Sequence, residues 1–297
     1  MSRNRGRAGT PTVGTTTQDV SPPPNLIPET TPEPGTATFS FVVPTEFVEL
    51  PSQGHYYTEG HPLHNCDTVE IRQMTAKEED MLTSRSLLKK GIAVDRVIQS
   101  LIVDTRLSAD SLLIGDKNAI VIAARCSGYG NIYETKVTCP ECSTTQPYEF
   151  DLNEAQVKHG TAAEALGAHN NGDGTFNLKL PVTEVTVTFR LLTGADERAY
   201  LNSMNRQKTK RKSKSQLDTV VTSQLRNLIT AVNGDSSPDA VNYLVDNIPS
   251  RDSRRIRSAY KLASPDINLD QHFECVNCDY SDEMEVPLTA DFFWPDR

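Results

Sequence analysis

The sequence predicts an α+β protein. A helical module and antiparallel β-hairpins are closed by a four-cysteine, zinc-ribbon-like site and preceded by a disordered N-terminal arm. Three observations lead to this fold class. Helix-period and strand-period segments follow one another along the 297 residues. Two Cys-x-x-Cys pairs lie between strand-like segments. The beginning of the chain is rich in Thr, Pro and Gly.

The chain divides by composition into an arm and three further regions. Residues 1–38 cannot bury enough apolar surface to offset the entropy of ordering, so they are predicted to be a disordered arm. This arm is either a plain tail or a tether that orders on a partner. Residues 39–130 hold N-terminal strands and the helical module, residues 131–192 and 264–297 form the β/zinc-ribbon region, and residues 193–263 form a helical insert.

The N-terminal region starts with a strand signal and then becomes helical. Alternation over residues 38–44 favours a short strand or an extended arm. A helix is predicted over residues 75–90, because Thr75 and Glu78 have the spacing of a capping box and Gly91 is suited to end it.

Periodicity predicts the remaining elements. Further helices are predicted over residues 94–102, 116–125, from 193 onward, 217–229, 239–246 and 253–262. Strands are predicted over residues 69–72, 135–138, 148–150, 176–180 and 185–191. The stretch 154–174 is predicted as loop with at most a short helix.

Four cysteines give the strongest chemical signal: Cys139, Cys142, Cys275 and Cys278. Thiolates at i and i+3 on a tight turn can occupy two corners of a tetrahedron, and two such turns facing each other complete it. Zinc favours four soft ligands in that arrangement. We therefore predict that structural Zn2+ clamps the C-terminal hairpin beside the central one, while the intervening residues loop out and return.

Other interpretations of these cysteines stay open from the sequence alone. They are iron in a rubredoxin-like site, a redox-active dithiol, or ordinary turn cysteines. A site made of four cysteines has no vacant position for water, so a metal there is predicted to be structural rather than catalytic. Cys66 and Cys126 lack paired spacing and are predicted to be core or loop thiols.

Composition excludes several classes of protein. The net charge of −9 argues against a chain that binds nucleic acid as a whole. No apolar run approaches the roughly 18–20 residues of a membrane span. The early arginines are not followed by an apolar segment, which predicts no secretory signal. Six cysteines are too few for a disulfide scaffold, so an intracellular, reducing compartment is expected.

No enzymatic site is predicted. The sequence has no nucleophile elbow, P-loop or His-Glu-x-x-His motif. His55, His61 and His64 lie close together, but no acidic or cysteine partner accompanies them at ligand spacing, so a loop role is predicted. We can nominate no catalytic residue.

Charge is segregated along the C-terminal half. Residues 206–261 contain twelve Lys or Arg against five Asp or Glu, whereas residues 264–297 contain nine acidic residues and only Arg297 as a base. The basic region is either a set of solvated helix faces or a patch that docks an acidic protein surface or nucleic acid. No aromatic residue interrupts residues 206–214, so bases would have no stacking platform there.

Several motifs resemble those of the T4-like bacteriophage baseplate hub subunit family. They lie at residues 50–54, 57–63, 74–91 and 115–118 and at the two Cys-x-x-Cys pairs, and together they cover about a third of the chain closely. The motif over residues 74–91 is the most specific of them. The arm and residues 206–214 match no feature of that family.

The resemblance implies a structural or assembly protein of a contractile phage tail, which helps to form the baseplate hub by contacts with other baseplate, hub or spike proteins. It would be found in the virion tail baseplate, or in the host cytoplasm during assembly. The first helix is the expected partner-binding face, with the candidate residues Glu78, Glu79, Arg85, Lys89 and Lys90. The alternative is a zinc-ribbon nucleic-acid-binding protein, in which residues 206–214 and 251–261 would face phosphate.

Overall fold

The computed structural model describes residues 41–210, 220–286 and 290–293. The predicted arm, residues 1–38, lies outside the described residues. From Val43 onward the described residues form one compact unit. The first strand of the described residues begins at Thr45, because Pro44 has no N–H for a strand ladder. Residues 38–40 of the predicted strand lie outside the described residues.

Helices and antiparallel strands are mixed along the chain. The α-helices are α1 (Ala76–Thr83), α2 (Arg85–Lys90), α3 (Ala93–Leu101), α4 (Ile114–Tyr129), α5 (Gly194–Lys210), α6 (Val220–Leu228), α7 (Pro238–Asn247) and α8 (Ser250–Ala263). The strands are β1 (Thr45–Glu49), β2 (Thr68–Arg72), β3 (Ile132–Thr138), β4 (Thr145–Asp151), β5 (Gln156–Lys158), β6 (Ala168–Asn170), β7 (Thr175–Lys179), β8 (Thr186–Arg190), β9 (Ile229–Val232), β10 (Asp266–Asn268), β11 (Asp270–Glu274) and β12 (Ser281–Glu285). Short 3-10 helices occupy Ala109–Ser111, Leu152–Glu154, Thr161–Leu166 and Ala290–Phe293.

Every strand pair among the described residues is antiparallel, which confirms the predicted α+β class. Two-stranded sheets pair β1 with β2, β3 with β4, β5 with β10 and β11 with β12. A four-stranded sheet has the order β6-β7-β8-β9. Its last strand comes from the region predicted to be a helical insert. The predicted helix over residues 217–229 ends at Leu228, because the following β-branched residues pair with β8.

The predicted helix over residues 75–90 is two helices in the structure. The backbone of Ser84 is extended, so α1 ends there and α2 begins. Thr83 favours the break, since its hydroxyl donates to the carbonyl oxygen of Glu79 at 3.0 Å and competes with the helical pattern. The predicted end at Gly91 is confirmed, and this glycine has a φ of 68°.

Glu78 lies inside the protein and closes the predicted capping box. Its carboxylate accepts from the backbone N–H of Thr75 at 3.0 Å, from the Ser100 hydroxyl at 2.7 Å and from the Arg72 guanidinium at 2.8 Å. Burial by itself raises the pKa of Glu78. The hydrogen bonds from Thr75, Ser100 and Arg72 outweigh burial and lower the pKa to about 2.

This depressed pKa predicts a loss of stability in acid. The ionised Glu78 stabilises the fold fully above its unfolded pKa of about 4.5, and the contribution is lost as pH falls through about 2. We expect Glu78→Gln to lower the free energy of unfolding by about 3 kcal/mol at pH 7, and the difference from wild type to shrink between pH 4.5 and 2. Urea unfolding of both proteins across this range measures it.

The exposed neighbour Glu79 provides the control for Glu78. Glu79→Gln is expected to change the free energy of unfolding by less than about 0.5 kcal/mol. Any effect of acid on the cysteines is common to wild type and both variants, so it cancels in the comparison. If the difference in free energy of unfolding between wild type and Glu78→Gln stayed constant across the whole pH range, the assigned role of Glu78 would be contradicted.

A buried carboxylate links three of the sequence motifs. Asp116 on α4 accepts from the Ser52 hydroxyl at 2.6 Å, the Ser52 N–H at 2.9 Å and the Tyr57 hydroxyl at 2.7 Å. The preceding Gly115 lies against the backbone of Pro265, where a Cβ atom would be 1.9 Å from the carbonyl oxygen. The turn at residues 50–57 therefore packs on the start of α4 through the Asp116 carboxylate.

Candidate metal centre

The two Cys-x-x-Cys turns lie at the ends of two β-hairpins. Strand β3 pairs with β4 up to Thr138 and Thr145, and β11 pairs with β12 up to Glu274 and Ser281. The intervening turns carry the cysteines. The left-handed conformation of Ser143, with a φ of 58°, closes the first turn.

The fold brings all four sulfur atoms together. The Sγ atoms of Cys139 and Cys278 are 3.7 Å apart, and those of Cys142 and Cys275 are 3.6 Å apart. All four lie within 4.8 Å of one another. Four thiolates that surround Zn2+ at about 2.3 Å on a tetrahedron are about 3.8 Å apart. A disulfide would need about 2.05 Å, so the spacing fits a shared cation and not a bond between sulfurs.

The environment of the cluster shifts the pKa values of Cys142 and Cys278 in opposite directions. A hydrogen bond with the Thr144 hydroxyl lowers the pKa of Cys142 to about 6. At Cys278, a backbone hydrogen bond at Tyr280 lowers the pKa, but desolvation and the three neighbouring cysteines outweigh it and raise the pKa to about 12. Since adjacent thiolates repel one another, complete deprotonation requires a positive charge among them.

Polar groups around the sulfurs support the same chemistry. The backbone N–H of Asn277 points to the Sγ of Cys275 at 3.4 Å, and its side-chain amide lies 3.8 Å from the Sγ of Cys142. Donors of this kind offset negative charge on metal-bound sulfur and orient the ligands.

Two buried glutamines join the hairpins beyond the cysteine cluster. The amide of Gln146 on β4 donates to the carbonyl oxygen of Glu274 at 2.8 Å, and its oxygen accepts from the N–H of Val276 at 2.9 Å. Gln271 on β11 makes the reciprocal pair with Asp151, with contacts of 2.6 and 3.1 Å. In the described sheets β4 and β11 do not pair with each other. The two glutamine side chains supply the hydrogen bonds between them instead.

Aromatic packing completes the contact between the hairpins. The Tyr148 ring lies 5.0 Å from the Phe150 ring and 5.2 Å from the Phe273 ring, and its hydroxyl donates to the carbonyl oxygen of His272 at 2.8 Å. Hydrophobic burial and amide hydrogen bonds therefore hold the hairpins side by side and preorganise the four sulfurs.

Sequence reasoning found the four cysteines but missed the two glutamines. The sequence does contain a signal for them. Gln146 has the two-residue spacing that puts it on the same strand face as Tyr148 and Phe150, and Gln271 has that spacing with Phe273. A polar residue on the inward face of a strand needs a partner for its amide.

The model of the family described as T4 bacteriophage base plate protein matches residues 43–294. The chain belongs to this family. The baseplate resemblance is thereby confirmed, and membership places the protein in the phage tail. No curated protein and no solved structure matches this base plate protein significantly.

The candidate partner-binding residues of this base plate protein are not all on its surface. Glu78 is fully buried, so the prediction that it belongs to a docking face was wrong. Its carboxylate instead accepts hydrogen bonds from the Thr75 N–H of the capping box and from Arg72. Glu79 is exposed and accepts from the Tyr129 hydroxyl at 3.2 Å. Arg85, Lys89 and Lys90 are exposed on α2, a helix that has no buried residue.

The remaining sequence candidates of the base plate protein lie apart from the cysteine cluster. His61 contacts the Ser111 hydroxyl at 3.0 Å and stacks on Tyr57, whereas His64 bonds the Tyr57 carbonyl oxygen at 2.6 Å. Within the described ranges, the four cysteines form the one group of metal-ligating residues, and no helix there is long and apolar enough to cross a membrane. Residues 206–210 belong to α5, and residues 211–214 lie outside the described residues.

Proposed function

We propose that this base plate protein is a non-catalytic assembly component of the baseplate hub. It holds structural Zn2+ on Cys139, Cys142, Cys275 and Cys278 and binds neighbouring hub or spike proteins through its helical module. It acts in the host cytoplasm during assembly and stays in the tail. The closed thiolate set supports a structural ion, which orders the C-terminal hairpin before partners bind.

An apolar groove beside α2 is the observation that supports docking. The groove has a volume of about 310 Å3 and opens between α2, α3 and α5. Its apolar lining includes Leu82, Leu88, Val94, Val121, Leu201 and Phe293. Leu88 and Leu201 are 46 % and 40 % exposed, so the rim of the groove presents apolar surface to solvent.

Charged side chains give the groove a rigid floor. The Nζ atom of Lys117 lies 2.6 Å from an Asp95 carboxylate oxygen and 2.6 Å from a Glu197 oxygen. Because this lysine is buried and both of its contacts are short, the polar floor is fixed before any partner arrives.

The groove and its surroundings fit an apolar side chain carried on an acidic segment. Arg85, Lys89 and Lys90 of α2 make no ion pair with the described residues. A partner segment that inserts an apolar anchor beside Leu88 would bring its carboxylates to these cations. This is the chemistry that we assign to the neighbouring hub or spike protein.

A change of charge inside the groove tests this docking. We expect Leu88→Asp to weaken binding to co-expressed hub or spike proteins at least tenfold, because a carboxylate replaces the apolar wall next to a partner anchor. Pull-down titration after nuclease treatment measures the affinity. Tyr243→Asp on α7 is the matched control, since this side chain is 75 % exposed far along the chain from the groove. Equal affinities for both variants and wild type would reject the groove as a docking site.

One observation favours the alternative of nucleic-acid binding. The basic side chains of α8 at Arg251, Arg254, Arg257 and Lys261 are exposed. A salt titration with duplex DNA separates the two functions, because phosphate contacts make affinity fall steeply with salt. Binding to neighbouring baseplate proteins that survives nuclease supports the assembly function.

A further inference from the structure

Helix α8 carries a continuous basic stripe on its solvent side. The stripe, here called the basic helix face, consists of Arg251, Arg254, Arg257 and Lys261. Its members recur at helical spacing, while Ile256, Ala259 and Ala263 are buried on the opposite side. None of the four makes an ion pair or hydrogen bond with another described residue. Four cations on one short face repel one another unless an acidic surface covers them.

The C-terminal hairpin carries an acidic surface on its outer side. This acidic hairpin face consists of Asp270, Glu274, Glu283 and Glu285, with His272 between them. Alternation along β11 and its register with β12 put these residues on one side, and all of them are exposed. Asp270 stands directly opposite Glu285, and a like-charged cross-strand pair destabilises a hairpin.

The two faces match in charge and in length. The basic helix face extends about 15 Å along α8, at 1.5 Å per residue. The acidic hairpin face extends about 13 Å along β11, at about 3.3 Å per residue. Each face holds four charges, and no described ion pair joins α8 to this hairpin within one copy.

We propose that the basic helix face of one copy binds the acidic hairpin face of the next. Because the two surfaces differ, the contact is heterologous and each copy keeps one free face of each kind. Repetition builds a ring if the rotation closes, or an open chain if it does not. The proposal goes beyond the hub function above, since neither face borders the groove beside α2.

A second copy of the chain explains both charged faces, whereas nucleic acid explains only the basic helix face. Phosphate would cover the basic helix face but would leave the acidic hairpin face, with its like-charged pair, unexplained. The net charge of −9 also opposes approach to a polyanion, whereas a second copy satisfies both faces at once.

Charge reversal on each face tests the self-association. Nuclease-treated wild type is expected to sediment as species heavier than the 32.8 kDa monomer at low salt. These species should dissociate as the Debye length falls from about 10 Å at 0.1 M to about 3 Å at 1 M salt. The helix variant Arg254→Glu/Arg257→Glu and the hairpin variant Glu283→Lys/Glu285→Lys should each stay monomeric, because the altered face then carries two charges of each sign and no longer attracts its partner face.

A mixture of the two variants is the decisive sample. The unaltered basic helix face of the hairpin variant then meets the unaltered acidic hairpin face of the helix variant, so association in 1:1 pairs should return. The hairpin variant replaces the carboxylate opposite Asp270 with an ammonium group, so its thermal stability should equal or exceed that of wild type; its metal content reports that the hairpin is folded.

Each other outcome overturns the proposal. Wild type that is monomeric at low salt excludes the contact, as do variants that associate like wild type or a mixture that stays monomeric. If the helix variant instead loses duplex DNA binding while wild type remains monomeric, phosphate is the ligand of α8. Binding of hub proteins through the groove is measured separately, so it can persist when self-association fails.

Discussion

Replacing Cys139 with serine is expected to abolish metal binding and to loosen the C-terminal hairpin from the central one. The remaining three sulfurs cannot close a tetrahedron, and Cys139 is the most buried of the four ligands, with 1 % exposure. Metal content should fall from about one ion per chain to near zero. We expect the free energy of unfolding to decrease by about 3–5 kcal/mol.

The expected loss is smaller than the binding energy of a zinc-finger ion, because the polypeptide holds the hairpins together by other contacts as well. Gln146 and Gln271 bond across the hairpins, and Phe273 packs on Tyr148. An isolated zinc finger has no such support, and its apparent binding energy of about 10–16 kcal/mol is also its folding energy. Here the hairpins should stay in contact after metal loss but open more often.

Elemental analysis and thermal unfolding of wild type and Cys139→Ser measure both effects together. The elemental result also distinguishes zinc from iron, since both accept four thiolates. Cys66→Ser is the matched control, because Cys66 lies outside the cluster and its thiol donates to the carbonyl oxygens of Pro62 and His64 in its own loop. The clamp is excluded if Cys139→Ser contains as much metal as wild type and melts at the same temperature.

Features that depend on neighbouring residues could be predicted from the sequence. The capping box at Thr75, the end of α2 at Gly91 and the turn positions of the cysteines all require only a few adjacent residues. The convergence of Cys139 and Cys275 is a long-range contact. It was predictable because a structural metal site needs four ligands, and each Cys-x-x-Cys pair supplies only two.

Features that depend on tertiary partners could not be predicted in this way. Glu78 is predicted as part of a partner-binding helix face, and only the positions of Arg72 and Ser100 show its burial. Ile229 fits the apolar period of α6, yet it pairs with β8 and belongs to a strand. In both cases tertiary contacts outweigh local preference.

Arg125 is a further residue that the sequence did not single out. It was predicted as the end of a helix, but α4 continues to Tyr129 and the Arg125 side chain is completely buried. Its guanidinium donates to the carbonyl oxygens of Phe292 at 2.5 Å, Gly130 at 2.7 Å and Ile132 at 3.2 Å. It thereby ties the end of the described chain to α4 and to the start of the central hairpin.

The surroundings of Arg125 show why a cation is stable there without a carboxylate. Its guanidinium lies 5.4, 6.0 and 5.9 Å from the ring centres of Tyr129, Tyr133 and Phe292. Desolvation lowers the pKa of Arg125, but an arginine keeps its charge in proteins. Carbonyl dipoles and aromatic faces therefore take the place of a counter-ion.

We expect Arg125→Met to lower the free energy of unfolding by about 3–5 kcal/mol. Methionine fills much of the volume but leaves the carbonyl oxygens of Phe292, Gly130 and Ile132 without their guanidinium donor, and each group left unpaired away from water costs about 1–3 kcal/mol before relaxation. Urea unfolding measures the change. Arg96→Met on α3 is the control, since Arg96 is exposed and bonds no described residue, and it should shift stability by less than about 0.5 kcal/mol.

Arg125→Lys separates the geometry of the side chain from its charge. A lysine ammonium is a compact point charge and cannot reach three carbonyl oxygens that a planar fork spans, so this variant should recover less than half of the loss. Full recovery would show that charge alone matters at this position. Both variants should still hold about one metal ion per chain, because the cysteine cluster and the Arg125 contacts attach different parts of the C-terminal segment. A variant that lost the metal together with stability would show instead that the two attachments are one cooperative unit.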